Sequence, residues 1–313
     1  MTNVPPSAGA RIARRDLLAL GAGAAVLGAM AKSGPAAASG ARVGPPAMPE
    51  PSTDQVQVER VEDGILLIGL NRPDAQNRVT VDMFLALAAA YHRLEADDGL
   101  RVGVLYAQGP DFCVGLDTQD WGAKLATGRF TLDPERRLNP VATAGALRTK
   151  PIVVAVQGRT WMLGHELFLA ADIRVAARDV RFNQAEVTKG LFPGGGGALR
   201  FTREAGRGNA MRYMLTGAEW GAEEADRWGL VQALTEPGRQ LDAAMAFARE
   251  IATKAAPLGT RALLSNLNKA RLEGEQAAYV ALLPQFGQLF RTEDFRERVR
   301  AANENREPVY RGR

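Results

Sequence analysis

The chain has 313 residues, 46% hydrophobic and 24% charged, with a formal charge of +4, one cysteine and two histidines. That apolar fraction suits a globular core and excludes disordered and collagen-like chains. A lone Cys113 closes no intramolecular disulfide, and one cysteine with two histidines does not supply the usual His/Cys zinc set, so no metal is expected.

Residues 1–38 hold Arg11, Arg14, Arg15 and Lys32 against Asp16, a net +3, which leaves +1 for all that follows. No basic stripe interleaved with aromatics appears in the remainder, so no nucleic-acid partner is expected. Arg14-Arg15 precede an uncharged Ala/Gly/Leu run from Leu17 to Ala31 and a small-residue stretch, Ala36 to Ser39. Basic head, apolar middle and A-x-A exit make a signal-peptide layout that resembles a twin-arginine export signal, with cleavage expected after Ala38. The run is shorter than the roughly 20 residues a spanning helix needs. Export to the periplasm and no stable membrane span after signal removal follow. The alternative is a cytoplasmic protein with an Ala/Gly-rich extension. Residues 39–54, with the Pro-rich Gly44 to Pro51, read as a linker.

Gln55 to Val61 alternates polar and apolar residues, and Ile65 to Leu70 is a short apolar run after Asp63-Gly64; together they predict a hairpin. Met83, Phe84, Leu87, Ala88, Tyr91 and Leu94 recur at helical spacing, which predicts a helix over Thr80 to Ala96. Val102 to Ala107 and Ile152 to Val156 are β-branched runs of the buried-strand type, each followed by a turn and a helical stretch. Gly164 to Ala171 reads as a short buried helix and Ile173 to Ala176 as a strand. From Gly208 the chain is mainly helical, with Leu230 to Leu234 as an exception. Strand and helix alternating, then helices, predicts an α/β fold with a helical C-terminal part.

Inventory removes several chemistries. After residue 38 the serines are Ser39, Ser52 and Ser265, none in G-x-S-x-G, so a Ser-His-Asp hydrolase lacks its nucleophile. Cys113, between Phe112 and Val114, reads as a small core residue. Gly194 to Gly197 lack the Lys-Ser/Thr of a phosphate loop and read as a tight turn with close backbone approach. Carboxylates and backbone amides remain. Glu166 sits at the start of an apolar helix in W-M-L-G-H-E-L-F-L-A-A-D, and Glu186 follows in F-N-Q-A-E-V-T-K-G. Burial would raise either acid toward neutrality and suit it to proton transfer. Spacing alone equally allows Glu166 to complement a helix N-terminus and Glu186 to be a surface charge.

Five segments in order resemble the crotonase superfamily, the enoyl-CoA hydratase/isomerase proteins: Asn71 to Asn77 (N-R-P-D-A-Q-N), Asp111 to Asp117 (D-F-C-V-G-L-D), the Glu166 helix, Glu186, and Gly190 to Gly197 (G-L-F-P-G-G-G-G). The C-terminal F-R-E-R-V-R-A-A-N-E-N-R-E-P-V-Y-R-G-R is similar to the family's ending. The resemblance implies an α/β spiral of ββα units over 55–250, a helical trimerisation region over 251–313, and a homotrimer or a hexamer of two trimers. It implies an acyl-CoA substrate whose carbonyl oxygen meets the backbone N–H groups of Leu116 and Leu163, with CoA as part of the substrate and no cofactor. By the same resemblance, Glu166 activates the water that adds to a 2-enoyl thioester and Glu186 protonates the α-carbon. Double-bond isomerase, cofactor-free carbon-carbon bond hydrolase, or non-enzymatic acyl-CoA binding or assembly are the alternatives. Arg72, Val114, Gly115, Asp117, Trp161, Gly164, Pro193 and Gly194 are the expected substrate-binding positions; Asp117 also suits a turn cap, Trp161 and Trp121 pocket wall or core, and Arg72 and Lys124 phosphate contacts or solvated surface. The usual glycine triplet before the first glutamate is Met162, Leu163, Gly164 here, with His165 adjoining Glu166. Bulkier side chains there would reshape the acyl pocket, and His165 would point about 100° around the helix from Glu166.

Overall fold

The computed structural model describes residues 54–313. The expected signal, and the expected linker up to residue 53, lie outside the described residues. The elements follow in the order β1 (Val56–Val61), β2 (Ile65–Leu70), α1 (Val81–Ala96), β3 (Val102–Ala107), α2 (Thr118–Leu125), β4 (Ile152–Val156), β5 (Arg159–Trp161), α3 (Leu163–Ala170), β6 (Ile173–Ala177) and β7 (Arg181–Asn183). After them come α4 (Gly197–Glu204), α5 (Arg207–Thr216), β8 (Trp220–Gly221), α6 (Ala222–Arg227), β9 (Ala233–Thr235), α7 (Gln240–Lys254), α8 (Pro257–Glu273), α9 (Glu275–Leu289) and α10 (Glu293–Asn303). Among the described residues no helix is long and apolar enough to cross a membrane.

A six-stranded sheet runs β1-β2-β3-β4-β6-β9, antiparallel between β1 and β2 and parallel thereafter. The hairpin forms as the sequence predicts, closing Val61 onto Ile65 through a 3-10 turn, Glu62–Gly64, whose Gly64 has φ +75°. Period-two alternation sorts the strands' side chains onto two faces. Leu66, Ile68, Leu105, Val154 and Val156 face α1 and α3, whereas Ile65, Val102, Val104, Val153, Ala155 and Val175 face Ala244, Ala248 and Ala252 of α7. Those alanines recur every four residues, so α7 lies flat on the sheet. The boundary drawn at 250/251 therefore falls inside α7; the helical C-terminal region begins after Ala255, at Pro257, where proline opens α8.

A smaller sheet, β5-β7-β8, makes the second layer, and two isolated bridges extend it: Cys113 with Thr160, and Val79 with Leu116. Successive turns of chain thus place a long strand in the large sheet, a short segment in the second layer, and then a helix. This is the spiral of ββα units that the resemblance implies.

Candidate active site

The segment from Cys113 to Leu116 is held from two sides. Val79 donates its N–H to the Gly115 carbonyl at 2.9 Å and Val114 donates to Gln76 at 3.2 Å. Asn77, fully buried, donates through Nδ2 to the carbonyls of Gln108 and Asp111 and accepts from the Arg72 amide at 2.7 Å. The N-R-P-D-A-Q-N segment is therefore a clamp for the loop beside it. On the other side Trp161 donates to the Cys113 carbonyl at 2.8 Å, and Gly164 approaches so closely that a Cβ there would lie 2.4 Å from that same oxygen. Only glycine fits at 164.

These contacts bring the amides of Leu116 and Leu163 to one locality. Leu163 is the first residue of α3, where an N–H has no partner within its helix. Among the described residues neither Leu116 nor Leu163 uses its N–H in an intramolecular hydrogen bond. Two unspent donors, one of them at a helix N-terminus, are the equipment that stabilises a developing oxyanion.

Glu166 lies one turn into α3 and is buried. Its Oε1 accepts from the amides of Gly195 at 2.7 Å and Gly197 at 3.0 Å. A Cβ on Gly195 would stand 2.4 Å from Glu166 Oε2, so the glycine run lets backbone close onto a carboxylate. Burial raises the pKa to about 7, the charge of Glu186 adds to the rise, and the two glycine amides and Arg200 oppose it. Glu186 opens a 3-10 turn, Glu186–Lys189, and is buried too; burial raises its pKa, while its own backbone amide, Gln184 and Lys189 pull it down. Its Oε1 accepts from Gln184 Nε2 at 2.8 Å, and its Oε2 has no hydrogen-bond partner among the described residues. Both carboxyls are thus desolvated, and each feels the surroundings that tune a proton-transfer group.

The remaining sequence-derived residues divide. Gly115 has φ +112°, and a Cβ on it would meet Met162 Cε at 3.0 Å, so the Met162 side chain lies over Gly115. Val114 and Pro193 are buried; Gly194 is exposed and Trp161 half-buried under the Arg159 guanidinium. Arg72 pairs with Asp117 at 2.8 Å, which holds the Asp117 carboxyl below its usual range. Asp117 stands at the N-cap of α2 without a side-chain cap bond. Trp121 is core, packed edge-on against Phe84 at 5.5 Å, and Lys124 is exposed. Cys113 is fully buried and its thiol is pushed up to about 12 by burial, which leaves it inert.

Sequence reasoning passed over three participants. Gln184 stands two residues before Glu186, and Gly195 and Gly197 hold Glu166. The usable signals were an amide two residues before an acid and a glycine run with no phosphate loop to serve.

Residues 60–313 match the family model for enoyl-CoA hydratase/isomerase. The chain belongs to this family of the crotonase superfamily. A probable enoyl-CoA hydratase from Mycobacterium tuberculosis (strain CDC 1551 / Oshkosh) is 34% identical over 267 residues, 82% of this chain and 92% of the relative. A 1,2-epoxyphenylacetyl-CoA isomerase of Escherichia coli (strain K12) is 34% identical over 200 residues, 63% of this chain and 76% of the relative. The crystal structure of a probable enoyl-CoA hydratase/isomerase from Mycobacterium abscessus superposes with a TM-score of 0.79 at 41% identity, covering 83% of this chain and 99% of that one.

Proposed function

We propose that the protein is a 2-enoyl-CoA hydratase. The observation that carries this reading is the pair of buried acids, Glu166 and Glu186, whose pKa values desolvation raises, together with two unspent amides at Leu116 and Leu163. The thioester carbonyl would accept from both amides, an interaction worth about 3 to 4 kcal/mol per donor in comparable oxyanion holes. Ionised Glu166 takes a proton from water as the water oxygen bonds to the β-carbon. The double-bond electrons pass to the carbonyl oxygen, giving an enolate that the amides stabilise. Protonated Glu186 then gives its proton to the α-carbon and the carbonyl re-forms. Glu166 leaves the cycle protonated and Glu186 ionised, so one proton must return between them before the next turnover.

CoA enters as part of the substrate, and no separate cofactor is invoked. Met162, Val114, Trp161, Gly164, Pro193 and Gly194 border the acyl site in this reading; Arg72 and Asp117 brace it through their mutual ion pair. We also propose a homotrimer or hexamer, supported by apolar side chains exposed on α8 and α9, among them Leu263, Leu267, Val280, Leu283 and Phe286. For the address at residues 1–38 we propose export; a mature N-terminus near Ser39 in mass spectra of fractionated cells is the expected result, and an intact Met1 in the cytoplasm would refute it.

The decisive experiment is hydration of a short 2-enoyl-CoA by the purified protein, with products identified. Formation of the 3-hydroxyacyl-CoA is expected. An isomerised alkene, or cleavage of a carbon-carbon bond, would move the chain to another reaction of the superfamily, and absence of any acyl-CoA binding in calorimetry would leave a non-enzymatic role.

A further inference from the structure

Beside the two acids lies a buried polar group that the hydration scheme does not use. His165, next to Glu166 on α3, is fully buried in an aromatic cage: its ring centroid lies 5.0 Å from Trp220, 5.1 Å from Phe201, 5.6 Å from Phe182 and 6.0 Å from Phe168. Such a site suits phenylalanine, and a neutral imidazole placed there needs a reason. Its one polar contact is from Nδ1 to Oε1 of Gln184, which is itself fully buried. The other ring nitrogen, Nε2, has no hydrogen-bond partner among the described residues.

The proton positions follow from the partners. Gln184 Nε2 is 2.8 Å from Glu186 Oε1, so the amide N–H faces the carboxyl and the amide oxygen faces the imidazole. An amide oxygen only accepts; hence Nδ1 carries the proton and Nε2 is bare. Burial holds the imidazolium form off by lowering the pKa to about 3, with Arg174 acting in the same sense. His165 therefore donates one hydrogen bond and carries no charge. With that bond in place the Gln184 amide cannot turn over without setting its oxygen against Glu186.

We propose that His165 is a positioning residue which, as a neutral Nδ1–H donor, locks the Gln184 amide so that Glu186 is held by Oε1 and keeps Oε2 free for proton transfer to the α-carbon. The proposal rests on the hydratase reading of Glu186. Without the imidazole, Gln184 is free to rotate, and a carboxyl displaced by even about 1 Å from its substrate carbon loses rate steeply. The charged groups that bear on Glu186 and its partners are Lys189 on the same 3-10 turn, Glu166 on α3, Arg200 on α4 and Arg174 on β6. None of them changes when His165 is replaced, so a change in Glu186 acidity would report on the Gln184 bond. That bond lowers the Glu186 pKa. Its loss raises that pKa, and the alkaline limb of the pH profile moves to higher pH because the acid stays protonated longer.

The test is a double-mutant cycle in the full chain, H165F, Q184L and H165F/Q184L, read by steady-state hydration of a short 2-enoyl-CoA across pH. Expected are a fall in kcat of up to about 100-fold in H165F, little change in KM, an alkaline limb shifted upward, and a double variant no slower than Q184L. A double variant in which the two losses multiply, or an unshifted limb in H165F, overturns the proposal, since a merely structural histidine would lower stability and yield without moving that limb. Should H165F not fold, the wild-type protein decides. Only His92 and His165 contribute imidazole signals, and 15N spectra from about pH 5 to about pH 8 should show one neutral ring protonated at Nδ1 throughout; an Nε2–H tautomer or a titrating ring at His165 overturns it. E186Q separates the two levels of inference: unimpaired turnover there sinks the hydratase reading and this proposal together, whereas an inactive E186Q with multiplying losses in the cycle sinks this proposal alone.

Discussion

Glu166 and Glu186 are both buried acids with raised pKa values, yet the chain holds them by different means. Glu166 is gripped by main chain: two glycine amides meet Oε1, and the backbone of Gly195 comes within the space a methyl group would fill. Glu186 is gripped by one side chain, Gln184, and its second oxygen is left free. A main-chain grip depends on which residues lack a Cβ, and a side-chain grip depends on the identity and orientation of one neighbour. Glu166 is therefore vulnerable to added bulk and Glu186 to lost polarity.

The largest effects break the comparison outright. E166Q or E186Q should lower hydration by about 10²- to 10⁴-fold, the usual contribution of a positioned acid or base, while calorimetry still shows acyl-CoA binding. Wild-type turnover in both variants would end the mechanism. Next, Gly195→Ala should reduce kcat by about 10²-fold, because its Cβ would lie 2.4 Å from Glu166 Oε2 and the carboxyl must move. The same change at exposed Gly208 on α5, where nothing lies within 4 Å of a built Cβ, should be nearly silent.

A smaller effect appears in stability. The Glu166 pKa is about 7 folded against the ordinary 4.5 of a free glutamate, so between those values the folded chain binds more protons than the unfolded one. Stability contributed by the protonated acid is then complete below pH 4.5 and is lost as pH rises through about 7, on the order of 3 kcal/mol in all. Replacement by Gln keeps an oxygen for the two glycine amides and removes the titration. Thermal melts of E166Q should be higher than wild type at about pH 8 and should lose that slope; parallel melting curves at all pH values would show the acid to be ionised without penalty. In catalysis the same group sets the acid limb of kcat/KM near 7 if it is the base.

Most long elements were legible because their periodicity is strong. The hairpin, α1, β3 and β4 follow directly from alternation and i, i+3, i+4 spacing; Thr80, placed inside the predicted helix, is instead its N-cap, accepting from Met83 N at 3.1 Å. Strands β5, β7 and β8 have three, three and two residues, too few for a period to register. The second layer they form, on which the site depends, became visible only through the resemblance. The two glutamates stood out as acids in apolar surroundings. Their holders did not: Gly195 and Gly197 reach Glu166 across 29 and 31 residues, which no local pattern carries, and Gln184, though only two residues before Glu186, lies between elements where no period marks it.

Met162 tests the smallest difference between main-chain and side-chain control. It stands at φ +50°, ψ −114°, a conformation natural to glycine, and its side chain covers Gly115. Holding a Cβ-bearing residue in so sparsely populated a region costs about 1 to 3 kcal/mol, whereas glycine adds about 0.4 to 1 kcal/mol of unfolded-state entropy. Met162→Gly relieves the strain and Met162→Ala does not, so the glycine variant should unfold about 1 kcal/mol later than the alanine variant in denaturant. Equal midpoints would mean that the backbone at this turn is set elsewhere. Both variants uncover Gly115, next to the Leu116 amide, so both should gain on branched or longer acyl chains relative to short ones. If only the glycine variant gains, the backbone at 162 rather than the thioether above it governs which substrates reach the oxyanion hole.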